Sequence, residues 1–195
     1  MSQRERPPSA RREELLERAY GYVMEHGLAE LSLRPLAAAI GSSPRVLLFL
    51  FGSKEELIRA LLARARSDEL AALRQIRPAG GPDDFAGAVR TTWGWLVDPA
   101  HRPMLVLWAQ AYARSLSEPE GPWAGFARQT VADWLRLLAE VQGGGDGGPG
   151  AGDRDPALGL AVLRGALLDL LATGDAERTT AAVVRYLRLI GAAAH

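Results

Sequence analysis

The sequence predicts an all-α protein of about nine helices, with a three-helix segment near the N-terminus and a larger helical body behind it. Three observations carry this. Apolar residues recur at helical spacing through nearly all of the 195 residues. No stretch alternates convincingly as a strand. The periodic segments are also bounded by recognisable helix starts and stops.

Taken in order, residues 1–10, with Pro7 and Pro8, read as a flexible arm. A first helix is expected from about Arg11 to His26, with Leu15, Ala19 and Val23 on one stripe and Gly27 as a left-handed stop. Ser32 is placed to cap a short helix carrying Leu36, Ala37 and Ile40, with Pro35 in its first turn. Ser43-Pro44 reads as an N-cap followed by proline at the first helical position. Ser53-Lys54-Glu55-Glu56 reads as a capping box that opens a helix running to about Ile76. Arg77–Pro82 ends it. Further helices are expected near 83–97, 102–116, 121–141, 155–173 and 176–193, with Asp83-Asp84 as a cap and Asp155-Pro156 and Asp175 as starts. The glycine-rich run QGGGDGGPGAG, at 142–152, reads as a flexible loop, since no strand precedes it and no Gly-Lys-Ser/Thr follows. The expected domains are 11–52 and 53–195, with 142–154 as a loop inside the second.

Composition narrows the functional classes. Apolar residues at 48% and charged residues at 24% suit a soluble globular chain. There is no cysteine, so disulfides and thiolate metal sites are excluded. His26, His101 and His195 are scattered and read as surface residues, and no Ser-His-Asp order, metal-ligand spacing or nucleotide motif accompanies them. An enzyme is therefore not expected, nor a cofactor. The longest strongly apolar stretch, Met104–Ala113, falls far short of the ~20 residues of a membrane helix. The polar start MSQRERPPSARREE has no apolar segment behind it, so a cytoplasmic protein is expected. The net charge of zero conceals 11 Lys+Arg against 8 Asp+Glu in residues 1–66, and 12 against 15 thereafter. A weakly basic head on a weakly acidic body fits contact with phosphate at one end.

The informative stretch is Ser32–Leu57, SLRPLAAAIGSSPRVLLFLFGSKEEL. Two short helices joined through Gly41-Ser42-Ser43 have the dimensions of a helix-turn-helix. Leu36, Ala37, Ile40, Leu47 and Phe51 would pack inward, leaving Ser42, Ser43, Pro44 and Arg45 to face a major groove. The Leu36-Ala37 pair, Gly41, Ser43, Leu47, Phe51 and Ser53-Lys54-Glu55 with Leu57 resemble the tetracycline-repressor (TetR) family over about residues 11–66. The resemblance implies a ligand-binding and dimerisation domain behind the helix-turn-helix, a homodimer joined by the last two helices, and a palindromic double-stranded DNA operator. A small effector in the helical body would control binding.

By position, Lys54 would touch phosphate, Arg34, Ser42, Ser43 and Arg45 would lie at the groove, and Arg11 and Arg12 near the flanking backbone. Val46, Leu48 and Phe49 complete the candidate DNA-contact set. The family usually has a tyrosine at Leu48, His or Tyr at Leu50, and often a hydroxyl residue at Val46, so this helix has lost hydrogen-bond donors. Either Val46 and Leu48 read thymine methyls, or the helix binds DNA weakly, or its apolar face meets a protein.

All five tryptophans fall between 93 and 134. Thr92, Trp93, Trp108, Tyr112, Phe126 and Trp134 are the candidate ligand residues, for an apolar or aromatic effector that is uncharged or cationic. Thr91, Gln110 and Arg114 could supply orienting hydrogen bonds, and a plain aromatic core is the bland alternative. Leu160, Leu163, Leu167 and Leu171, with Val183, Leu187 and Ile190, are the expected dimer stripe. A central helix of a monomer is its alternative.

Overall fold

The computed structural model describes residues 8–28, 31–75, 85–141 and 155–192. These residues hold nine α-helices and no strand: α1 (Pro8–His26), α2 (Leu33–Ala39), α3 (Pro44–Phe51), α4 (Lys54–Gln75), α5 (Phe85–Val97), α6 (Arg102–Ser117), α7 (Phe126–Val141), α8 (Pro156–Thr173) and α9 (Ala176–Ala192). A 3-10 turn, Pro99–His101, leads into α6. The fold is the all-helical one expected. Asp83-Asp84, the Arg77–Pro82 break and the 142–154 loop lie outside the described residues.

Two boundaries differ from expectation. α1 opens at Pro8, so residues 8–10 are its first turn and not part of an arm. α7 opens at Phe126, not near 121, because Gly121 and Gly125 both hold positive φ, at 87° and 76°, and make residues 121–125 a turn.

The caps form unevenly. The Ser43 hydroxyl accepts the Val46 amide at 3.2 Å, and Asp155 and Asp175 accept the Ala157 and Arg178 amides at 2.8 and 2.9 Å. Ser32 holds the N-cap position of α2 in extended backbone, yet its side chain makes no capping bond. The expected box at α4 closes on one side only. Ser53 accepts the Glu56 amide at 3.1 Å, while the Glu56 carboxylate turns to the Arg59 guanidinium. The Glu55 carboxylate, bonded to its own amide and the Ser53 hydroxyl, is held below its ordinary range.

The chain divides into two compact units, one of residues up to Asp68 with Val106–Ala127, the other of Glu69–Leu105 with Arg128 onward. The first unit therefore extends well past residue 52. Its core includes Leu15, Ala19, Val23, Leu36, Leu47, Leu57 and Leu61, all essentially fully buried. Arg64 clamps α4 to α1, donating to both Glu17 carboxylate oxygens at 2.6 and 3.1 Å and lying over the Tyr20 ring. Gln110 on α6 accepts the Leu28 amide at 3.3 Å, so the loop after α1 is held by a side chain 82 residues away in sequence.

In the second unit α5, α8 and α9 pack together. Phe85, Val89 and Leu96 of α5 are buried there, with the Phe85 ring against Gly159 of α8. Leu160, Leu163, Leu167, Val183 and Leu187 are buried in this core, and Leu171 and Ile190 are half-buried. Five of the seven residues of the expected dimer stripe thus lie inside the chain's own core. The most strongly apolar face of each helix packs into the chain's own core, where it buries most area. The outward face of α8 carries Leu158, Ala161, Gly165, Leu168 and Ala172 instead, all exposed. By length and composition α8 is also apolar enough to cross a membrane, a longer apolar run than Met104–Ala113, although only 28% of it is buried.

Candidate functional site

The corner around Gly41 is built from short-range choices. α2 ends at Ala39 with Ile40 as its C-cap, and Gly41 takes φ +66°, a left-handed conformation that a side chain would resist. Ser43 then restarts the helix, with Pro44 at its first position. The axes of α2 and α3 turn by 101° across the break, within the range for a helix-turn-helix. Leu36, Ala37, Ile40, Leu47 and Phe51 all point inward as expected. That leaves the opposite face of α3 free.

Arg34 and Arg45 are exposed and Lys54 half-buried, and from Leu31 to Lys54 the sequence holds three cations and no acid. Ser43 is occupied by its cap. The Ser42 hydroxyl is shielded from solvent and has no hydrogen-bond partner among the described residues. Arg11 pairs with Glu14 at 3.1 Å, and the Arg12 guanidinium sits 4.7 Å from the centroid of the Phe51 ring. Val46 and Leu48 are exposed, and Phe49 is 81% exposed.

The aromatic residues divide between the two units. In the first, Trp108 and Tyr112 lie on one face of α6 with ring centroids 5.1 Å apart, and Phe126 is buried. The Trp108 indole N–H is buried without a hydrogen-bond partner among the described residues. In the second unit, Trp93 donates to Thr180 Oγ1 and Trp134 to Glu69 Oε1, each at 3.0 Å. Those two indoles are satisfied within the fold, and Thr92, next to Trp93 in sequence, is buried.

The groups proposed to orient a ligand have other partners. The Thr91 hydroxyl donates to the Gly87 carbonyl at 2.8 Å, Gln110 holds Leu28, and Arg114 lies over the Trp123 ring near Glu118. Sequence reading missed the Gln110–Leu28 bond, because nothing in a local pattern reports a contact across 82 residues. It also missed the role of His101, which is half-buried: its Nδ1 donates to the Trp95 carbonyl at 2.8 Å and its ring stacks on that indole.

The sequence profile of bacterial regulatory proteins of the tetR family matches residues 15–61. A transcriptional regulator from Rhodococcus sp. Rha1 is similar in structure, with TM-score 0.73 and 26% identity over 92% of this chain and 95% of that one. The multidrug binding protein EbrR, solved with imidazole, has TM-score 0.66 and 24% identity over 95% of this chain and 93% of its own. A TetR transcription regulator from Haloarcula marismortui has TM-score 0.69 and 16% identity over 94% of this chain and 98% of that one. No curated protein sequence matches the chain.

Proposed function

Because this chain belongs to the TetR family of DNA-binding transcriptional regulators, we propose that it acts in the cytoplasm as a ligand-responsive repressor, binding a palindromic operator as a homodimer. The observation that carries the reading is the outward face of the α2–α3 corner, with its exposed cations and no acid between Leu31 and Lys54. In this reading the α3 of each subunit enters the major groove. Arg45 reads a base edge there, Arg34 and Lys54 neutralise phosphate, and Arg11 and Arg12 lie toward the flanking backbone. Ser43 acts through its backbone amide near phosphate, since its hydroxyl is spent on its cap, and Ser42 lies beside it with its own amide held by the Ala37 carbonyl at 2.8 Å.

The exposed stripe Leu158, Ala161, Gly165, Leu168 and Ala172 of α8, with exposed Leu189 of α9, is the proposed dimer face. A central helix of a monomer would be covered all round, whereas an apolar helix left mostly uncovered calls for a second surface. The effector is a small apolar or aromatic molecule that meets Trp108 and Tyr112. The buried, unpartnered indole N–H of Trp108 favours one that carries a hydrogen-bond acceptor. α6 would carry the signal, since Gln110, two residues from Trp108, holds the end of α1. EbrR was solved with imidazole and with proflavin, which is in keeping with an aromatic effector here.

The test is selection of bound duplexes from random oligonucleotides, repeated with aromatic ligands present. Enrichment of an inverted repeat that is lost or sharpened with ligand is expected. A chain that prefers no sequence at low salt would refute the reading.

A further inference from the structure

The outward face of α3 is almost wholly apolar. At about 100° per residue, Arg45, Val46 and Phe49 share the side opposite Leu47 and Phe51, with Leu48 at its edge. Among the described residues seven large hydrophobics are exposed, and three of them, Val46, Leu48 and Phe49, lie on this eight-residue helix. They are bordered by Arg34, Arg45 and Lys54 with no acid between Leu31 and Lys54. The surface therefore complements something polyanionic that also presents small apolar groups. A duplex major groove has one such group, the C5 methyl of thymine, held between two rows of phosphate.

Building on the DNA-binding reading above, we infer that Val46 and Phe49 are specificity-determining residues that select thymines in each half-site by burying their methyl groups. Neither side chain can donate or accept a hydrogen bond, so neither can tell a guanine from an adenine by that route. The methyl is the one base-edge feature that rewards them, and Arg45 supplies the hydrogen-bonded readout beside it. Phe49 lies one turn beyond Arg45, about 6 Å along the helix axis, or roughly two base-pair steps of about 3.4 Å. The half-site should thus hold a guanine for Arg45 with a thymine within about two steps.

The experiment uses the full chain and a fluorescein-labelled duplex selected from a random pool. Each thymine of the half-sites is replaced in turn by deoxyuridine, which removes only the methyl, and binding is read by anisotropy. One or two positions should weaken by about fourfold per methyl, and by about sixteenfold when both half-sites are changed. Phe49→Ala and Val46→Ala sit at exposed positions and keep the fold, as circular dichroism would verify. Each should weaken the thymine duplex and abolish the uracil penalty at its own position. Equal binding of thymine and uracil duplexes by the unaltered chain overturns the inference and leaves the DNA-binding reading standing. An undiminished penalty in both variants overturns it as well. Failure to enrich any duplex removes both readings, and capture of the unaltered chain but not Phe49→Ala on anionic phosphatidylglycerol vesicles would then assign this face to a membrane surface.

Discussion

Replacement of Lys54 by alanine separates phosphate contact from base reading. Lys54 stands at the first position of α4, half-buried, while the acids of that turn are Glu55 and Glu56. A cation at a helix N-terminus opposes the helix dipole, so Lys54→Ala should leave the fold as stable or slightly more so, by about 0.3 kcal/mol. Any loss of binding then belongs to the interface. If Arg34 and Lys54 each neutralise one phosphate, a dimer makes about four such contacts and log K should fall against log salt with a slope of about −3.6. Between 50 and 200 mM salt, affinity should drop about 150-fold. Removing Lys54 from both subunits brings the slope to about −1.8 and the drop to about 12-fold, with all sequences weakened alike. Fluorescence anisotropy at several salt concentrations, on the selected duplex and a scrambled one, measures this. A slope unchanged within about half a unit, or a loss confined to one sequence, would refute the phosphate assignment.

Four further outcomes follow from the packing. Gln110→Ala leaves the Leu28 amide without its acceptor and should cost about 1–2 kcal/mol in denaturant unfolding, while blunting any effect of ligand on DNA affinity. A side chain at Gly159 would sit 2.8 Å from Phe85 Cζ, whereas at Gly94 nothing lies within 4 Å. Gly94→Ala should therefore gain about 1 kcal/mol from helix propensity, and Gly159→Ala, taxed by an overpacking cost of about 1–3 kcal/mol, should unfold at a lower temperature; the reverse order would show that Phe85 yields freely. If the exposed face of α8 carries the proposed dimer contact, Leu168→Glu on that face should sediment as a monomer where the unaltered chain sediments as a dimer, and an unchanged mass would overturn that assignment. Arg178 donates to both Asp169 oxygens at 2.6 and 2.7 Å, holding that carboxyl below its usual 3.8. The stability it contributes is present above about pH 3.8 and lost as pH falls through the lower folded value; Asp169→Asn should remove that part of the acid-side slope in thermal melts.

What was legible in the sequence was what neighbouring residues decide among themselves. Gly41, Ser43 and Pro44 fix the corner because a left-handed glycine, a capping hydroxyl and a proline at a helix start act within five residues. The inward set of Leu36, Ala37, Ile40, Leu47 and Phe51 followed from spacing alone. Ser32 and Glu56 show the limit of this. Both stand at the right positions, but Ser32 makes no capping bond, and Glu56 is drawn off by Arg59, a competing partner that spacing does not count.

The sequence by itself determined the helices, the corner and the identity of the residues facing out from α3, because hydrophobic period and backbone preference are local. Only the tertiary structure decided which of two apolar faces of α8 went to the chain's own core. It also satisfied Trp93 and Trp134 internally and left Trp108 unpartnered among the described residues. Gln110 was likewise assigned to Leu28 and not to a ligand. In each case the outcome turned on which distant surface the fold brought within reach. A helix as apolar all round as α8 does not say by spacing alone which of its sides a neighbour will cover.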